Sequence, residues 1–367
     1  MNELIINIED LVHNINVIKS KEEENYTIIA VVKGNAYGCD LKQYVEILKD
    51  MDIEYFAVAS YAEVIEFRKY FTDKLLLLTP YSDEKIVNDL IDKDIIFTID
   101  SIRQAKIIDK IAKEKDKKIY AHIKIDTGLN RYGYKFNDIE SIINTINNTE
   151  KIKYYGIYSH LSNSLAKNSK FSELQYKRFI NVIDKLSENN IDFKLKHICN
   201  SSGYFKYPNM HLNAARIGSA FIGQATGIKT DLKKIGTFHT HITKIIDVKK
   251  GDYIGYAKSY KVKRNMTLAV LPTGYFDGIG KTLIEQRFMF KSKVKRLLID
   301  TKKLFKKDYY TINNMNVIGQ IGMHDVMLDI TGKEYNVNDD LYFYIKPTLI
   351  DSSIKRVYKE NNKKIVE

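Results

Sequence analysis

Hydrophobic and polar positions follow two different patterns along the chain, and the change falls near residue 235. From residue 27 to about 220, short β-branched runs are separated by segments whose apolar residues recur every three or four positions. That is the pattern of a parallel sheet with crossover helices. It predicts strands at Thr27 to Lys33, Tyr55 to Ala59, Leu75 to Thr79, Ile95 to Ile99, Ile119 to Ile125, Tyr154 to His160, Phe193 to Asn200 and Ala214 to Ile217. Segments such as Leu41 to Asp50, Tyr61 to Tyr70, Ile102 to Lys113 and Glu173 to Leu186 read as helices between them, so a (β/α)8 barrel is the natural closure. Ile8, Leu11, Val12 and Ile15 have helical spacing and predict a further helix packed on the barrel. After residue 235, the runs FHTHITKIIDV, GDYIGY, TLAVLPTG, NVIGQIGMHDVMLDI and DLYFYI alternate with Gly, Asn and Asp turns, without a long helix. The expectation is an α/β chain with a barrel over residues 1–235 and a mainly β domain over residues 236–367, joined near GIKTDLKK.

Bulk properties narrow the function classes. A length of 367 residues suits a barrel of roughly 250 residues plus a smaller domain. The chain is 44% hydrophobic and 28% charged, which describes a globular protein. No apolar run approaches the roughly 20 residues that span a bilayer, and MNELIINIED has neither a basic start nor an apolar signal core. The expectation is a cytoplasmic protein without a membrane partner. Cys39 and Cys199 give neither a disulfide framework nor metal-ligand spacing, so no metal is expected. The net charge of +12 comes from lysines spread along the whole chain, with modest clusters such as KSKVKR and KKIVE and no nucleic-acid-binding motif. Lysine, isoleucine and asparagine dominate while arginine is scarce, so each arginine is the more informative cation.

In a barrel, chemistry gathers where strands end and βα loops begin. The first strand ends in Lys33, the fifth continues into Lys124 and Arg131, and the sixth ends in His160. The seventh carries His197, Asn200 and Ser201, and the eighth ends in Arg216 and Gly218. A strand-end lysine facing arginines, histidines and an Asn-Ser-Ser-Gly turn suits a covalent Schiff base with phosphate anchoring. Asn200, Ser201 and Gly218 offer donors for the phosphate, and Tyr37 adds a phenol. Pyridoxal 5'-phosphate needs this combination, an aldehyde held by lysine and a phosphate held by donors.

Seven stretches in order carry a wider resemblance: AVVKGNAYGCD, KIDTGLNRYGY, GIYSHL, HICNSSG, ARIGSAFIG, the pair GYAKSY and LPTGYFDG, and IGMHDVMLDIT. Over nearly its whole length the chain resembles the alanine racemase family, the fold-type III pyridoxal phosphate enzymes. The resemblance implies that Lys33 bears the cofactor and that Tyr37, Ser201, Gly218 and Tyr344 hold its phosphate, with Ser219 beside it. It sets Arg216 against the pyridine nitrogen with His197 as partner, and His160 near the ring. Arg131 and the backbone of Met323 match contacts to the substrate carboxylate. Lys124 takes the place of a lysine that is often carbamylated and that orients Arg131. Tyr256 matches a second catalytic base supplied by the other subunit of a homodimer, and Tyr275 an entrance residue. The chain departs from the usual motifs at Gly34, Asn130, Ile217 and Ser219. His324 stands in place of an Asp and IGK in place of a bulkier basic run, which bears on substrate size.

Racemisation removes a proton from one face of a flattened α-carbon and returns one to the other, so two bases are needed, here Lys33 and Tyr256. A phenol serves as a base near neutrality when a positive neighbour lowers its pKa, and Arg131 is the candidate. The expected function is interconversion of L- and D-alanine for peptidoglycan precursor supply. Three alternatives stay open: a racemase for serine or for a larger amino acid such as lysine or arginine, a fold-type III decarboxylase, and a pyridoxal phosphate carrier protein.

Overall fold

The computed structural model describes residues 1–21, 26–164, 168–225, 229–281 and 310–360. Part of the expected join at GIKTDLKK and both lysine clusters lie outside these residues. The chain divides into two units, Glu9–Lys234 and a second made of Met1–Ile8 with Ile235–Glu367. Among the described residues no helix is long and apolar enough to cross a membrane.

Strand β1 (Glu3–Asn7) belongs to the second unit. The first unit contains β2 (Thr27–Val31), β3 (Tyr55–Val58), β4 (Lys74–Leu77), β5 (Ile96–Ile99) and β6 (Ile119–Asp126). These are followed by a two-residue strand β7 (Tyr134–Lys135) and by β8 (Ile152–Tyr158), β9 (Leu195–His197) and β10 (Ala214–Ile217). Leaving aside β7, which pairs with β6, the other eight are parallel and follow one another around a closed barrel, with β10 pairing back onto β2. All eight predicted strands are present, though β9 is shorter than predicted because Asn200 turns the chain and caps the helix Ser201–Lys206.

Apolar side chains of Ile29, Val31, Ala57, Leu76, Leu195 and Ala214 pack as one core cluster. Buried polar groups join them, including Thr98, His122, Lys124, His197 and Arg216. Side chains two residues apart share a face of a strand, so the spacing in β6 puts His122 and Lys124 on one face. The intervening helices start on side-chain caps. Ser60 and Glu63 form a capping box for Tyr61–Arg68, while Asp83 and Ser101 cap Glu84–Asp92 and Ile102–Glu114. Each such cap stabilises its helix by about 1 kcal/mol.

In the second unit β1 lies between β11 (Gly236–His241) and β20 (Lys355–Lys359), with β19 (Asp340–Tyr344) on the far side of β11. Residues 1–8, expected with the barrel, thus supply an inner strand here, with Leu4, Ile5 and Ile6 buried. The expected amphipathic helix begins directly after it, as Ile8–Lys19. A second sheet joins β12 (Lys244–Val248), β15 (Met266–Leu271) and β18 (Val326–Asp329).

Candidate active site

The stretch after β2 takes an uncommon path. Gly34, Asn35, Ala36 and Tyr37 all have φ between 51° and 63°, one turn of left-handed helix. Such geometry costs a non-glycine residue roughly 1–2 kcal/mol, so it needs external ties. The Gly34 N–H donates to Glu63 Oε1 at 2.7 Å, the Leu41 N–H to Asn35 Oδ1 at 2.8 Å, and the Ala36 N–H to the Val32 carbonyl at 2.9 Å. Glu63 Oε2 also accepts from the Ala59 and Ser60 N–H groups, so one carboxylate clamps the loops after β2 and β3. The left-handed turn sets Lys33 and Tyr37 on the wall of one cavity of about 460 Å³.

That cavity also gathers Lys124, Arg131, His160, Asn200, Ser201, Arg216, Gly218 and Ser219. Burial and then the charge of Arg131 lower the pKa of Lys33, partly offset by Glu63, which leaves more of the amine as a free nucleophile. Burial, with Glu63 behind it, pushes the Tyr37 phenol up to about 12, so it remains a donor. A Cβ at residue 218 would lie 2.3 Å from Tyr37 Oη, so glycine there is what lets the phenol approach β10.

One wall offers donors. Ser201 Oγ accepts from the Gly218 and Ala220 N–H groups at 3.1 and 3.2 Å, which leaves the hydroxyl proton available. Gly218 therefore contributes space, its own N–H being given to Ser201. Asn200 Oδ1 accepts from Gly203 N–H and Ser164 Oγ, and its amide nitrogen donates to the Leu161 carbonyl at 3.3 Å. Gln224 Nε2 is buried and has no hydrogen-bond partner among the described residues, and Gln224 lines the same cavity. A buried unpaired amide is costly unless a ligand accepts from it. These groups fit a phosphate.

Arg216 is buried, and burial brings its pKa down only to about 10, so it stays charged at neutral pH. It donates to His197 Nδ1, to the Ser159 carbonyl at 2.7 Å and to His160 Nδ1 at 3.2 Å. Burial first, then Arg216, pulls both histidines well below the usual imidazole range. His197 sits behind Arg216, stacked on Tyr158 at 4.9 Å. Burial, then Arg216 and Arg131, likewise depresses Lys124, with Asp126 opposing. Asp126 Oδ1 accepts from the N–H groups of Gly128, Leu129 and Asn130, each at 3.0 Å, and so shapes the loop that carries Arg131.

The remaining expected residues lie in the second unit. The Tyr275 N–H donates to the Gly322 carbonyl at 2.9 Å and Phe276 N–H to the Met323 carbonyl at 3.2 Å, so LPTGYFDG and IGMHDV meet. Phe276 packs edge-on against His324 at 5.2 Å. Tyr256 is 73% exposed and opens a turn in which Ala257 and Lys258 both have positive φ. Tyr344 ends β19 opposite Thr237. Sequence reasoning gave no role to Glu63, Tyr158 or Gln224. The capping-box spacing SYAE could have marked Glu63, whereas nothing local marks Gln224.

Models of the alanine racemase N-terminal and C-terminal domains match residues 6–226 and 235–357. The chain belongs to the alanine racemase family. Its members are isomerases that depend on pyridoxal phosphate. An alanine racemase of Helicobacter pylori strain Shi470 is 33% identical over 290 residues, covering 76% of this chain and 77% of that protein. Alanine racemase 2 of Caldanaerobacter subterraneus is 28% identical over 345 residues, covering 92% and 84%. The structure of the Clostridium difficile 630 alanine racemase superposes with a TM-score of 0.84 at 26% identity, over 99% of this chain and 96% of that one. The family fits the cavity: Lys33 and the donors Ser201, Gln224 and Tyr37 suit a pyridoxal phosphate.

Proposed function

We propose that this protein interconverts L- and D-alanine with pyridoxal phosphate, in the cytoplasm, to supply peptidoglycan precursors. The observation that carries the reading is that Lys33, the donors Tyr37, Ser201 and Gln224, and the arginines Arg131 and Arg216 all line one cavity. Pyridoxal phosphate, when bound, withdraws electrons from the α-carbon of an amino acid and so makes its α-proton removable.

The residues divide the rest of the work. Lys33 Nζ would hold the cofactor's aldehyde and move a proton at one face of the substrate's α-carbon. The Tyr256 hydroxyl moves a proton at the other face; we assign it to the second copy of a homodimer, a role its exposure permits. Ser201, Gln224, Tyr37 and Tyr344 hold the phosphate, with Asn200 and Ser219 beside them. Arg216 offers only N–H donors to a ring nitrogen and keeps its own proton, with His197 and His160 neutral beside it. Arg131 and the Met323 amide bind the substrate carboxylate, and Tyr275 guards the entrance. Lys124, carrying a carbamate, orients Arg131.

Tyr256→Phe tests the scheme through solvent deuterium exchange at the α-carbon, followed separately for each enantiomer. Exchange from L-alanine should collapse while exchange from D-alanine, through Lys33, survives. Equal retention for both removes Tyr256 from the mechanism. Comparing kcat/KM for alanine, serine, lysine and arginine tests the substrate, and a clear preference for any but alanine overturns that part.

A further inference from the structure

Behind Arg216 the hydrogen bonds continue across the barrel interior. His197 Nε2 lies 2.9 Å from His122 Nδ1, and His122 Nε2 lies 3.0 Å from the hydroxyl of Tyr55. All three side chains are buried, on β9, β6 and β3. Space for the middle ring is reserved by Gly156 on β8, where a Cβ would sit 2.6 Å from a ring carbon of His122.

The direction of this chain follows from its first member. A guanidinium has only donors, so His197 Nδ1 must accept from Arg216. Neutral His197 then carries its proton on Nε2 and donates it to His122 Nδ1. His122 in turn carries its proton on Nε2 and donates to the Tyr55 oxygen. In this arrangement each N–H from Arg216 to His122 meets an acceptor. Were His197 to hold its proton on Nδ1, that N–H would face the Arg216 N–H groups.

We propose that His122 is a positioning residue for Arg216: by accepting from His197 Nε2–H it anchors the His197 ring behind the guanidinium, in the tautomer that Arg216 dictates. Tyr55 anchors the far end of the relay, and Gly156 clears the site for its central ring. The relay deepens the reading of the cavity as a cofactor site, because the group it aims is the arginine assigned to the ring nitrogen.

The test is nitrogen NMR on the full-length protein labelled at histidine and arginine, recorded with and without added pyridoxal phosphate. In the wild type, His197 and His122 should each show a protonated Nε2 and a bare Nδ1, and the Arg216 guanidinium protons should exchange slowly. His122→Leu, or His122→Gln if the leucine variant does not fold, removes the acceptor at the Nδ1 position. The shift of the hydrogen-bonded His197 Nε2–H should then be lost and Arg216 exchange accelerated. His122→Asn, whose side-chain oxygen replaces Nδ1, should restore both. An unchanged His197 signal in the Leu or Gln variant, or a protonated Nδ1 on wild-type His197, overturns the proposal. If the tautomers are as expected but pyridoxal phosphate does not bind, the relay stands and the cofactor reading fails instead.

Discussion

Lys124 holds its terminal nitrogen 4.2 Å from the centre of the Tyr158 ring, and the Arg216 guanidinium carbon lies 4.7 Å from the same centre. Two buried cations therefore share one aromatic ring, while Asp126, the carboxylate that favours the charged form of Lys124, is already paired with Lys135 at 2.6 Å. The depressed pKa leaves the Lys124 amine neutral more of the time, and a neutral amine is what adds carbon dioxide. A carbamate there would replace a disfavoured cation by an anion between two arginines. Protein equilibrated with ¹³C-bicarbonate should show a carbamate resonance that disappears in Lys124→Gln. Its absence from the wild type would show that the lysine acts as an amine.

Three histidines make the barrel sensitive to acid. Burial and Arg216 bring His122 down to about 3, and the same causes lower His197 and His160 well below 6.5. Below pH 6.5 the unfolded chain takes up protons at these positions that the folded chain refuses. Stability must fall as pH drops from 6.5 toward 3, by up to about 1.4 kcal/mol per pH unit for each histidine. Denaturant unfolding followed from pH 7 to pH 4 should show this slope, and His122→Asn should remove one histidine's share. A slope unchanged by that substitution would falsify the assignment.

The barrel was legible because most of its strands are short apolar runs followed by a turn or cap, and at Ala214 to Ile217 the observed and predicted limits coincide. The strand Glu3–Asn7 was not, because its partners are Gly236–His241 and Lys355–Lys359, hundreds of residues away. Lys33 and Arg131 stood out because they follow strands and Arg216 because it lies near the end of one, where barrel chemistry is placed. His122 sits mid-strand, and its role depends on a glycine in β8 and a tyrosine in β3, relationships that no local pattern contains. Gln224 escaped for a similar reason: its lack of a partner among the described residues marks it.

Asp126 is expected to act on Arg131 through the loop between them. Its Oδ1 holds three consecutive N–H groups and its Oδ2 takes Lys135 at 2.6 Å, with those contacts lowering its own pKa against the effect of burial. Asp126→Ala leaves these donors without their acceptor, at a cost of roughly 1–3 kcal/mol in stability. If Arg131 binds the substrate carboxylate, KM for alanine should rise about tenfold while kcat changes less. Asp126→Asn, which keeps an oxygen acceptor and loses only the charge, should fall between. An Ala variant with wild-type KM would show that the loop holds its shape without the carboxylate.

Gly218 offers a sharper test of the phosphate wall, because its contribution is the absence of a side chain. Alanine there places a methyl 2.3 Å from Tyr37 Oη and 2.7 Å from two of its ring carbons. Either Tyr37 rotates away or β10 shifts. Overpacking of this kind costs about 1–3 kcal/mol. The same displacement would pull the phenol from the cofactor phosphate and move Ser201, whose Oγ is tied to the Gly218 N–H. Gly218→Ala should therefore weaken pyridoxal phosphate binding at least tenfold, measured by equilibrium dialysis. Adding Tyr37→Leu removes the ring in the clash, so the double variant should regain much of the lost stability without regaining affinity. Recovery of both together would mean that Tyr37 fills space beside the phosphate and donates nothing to it.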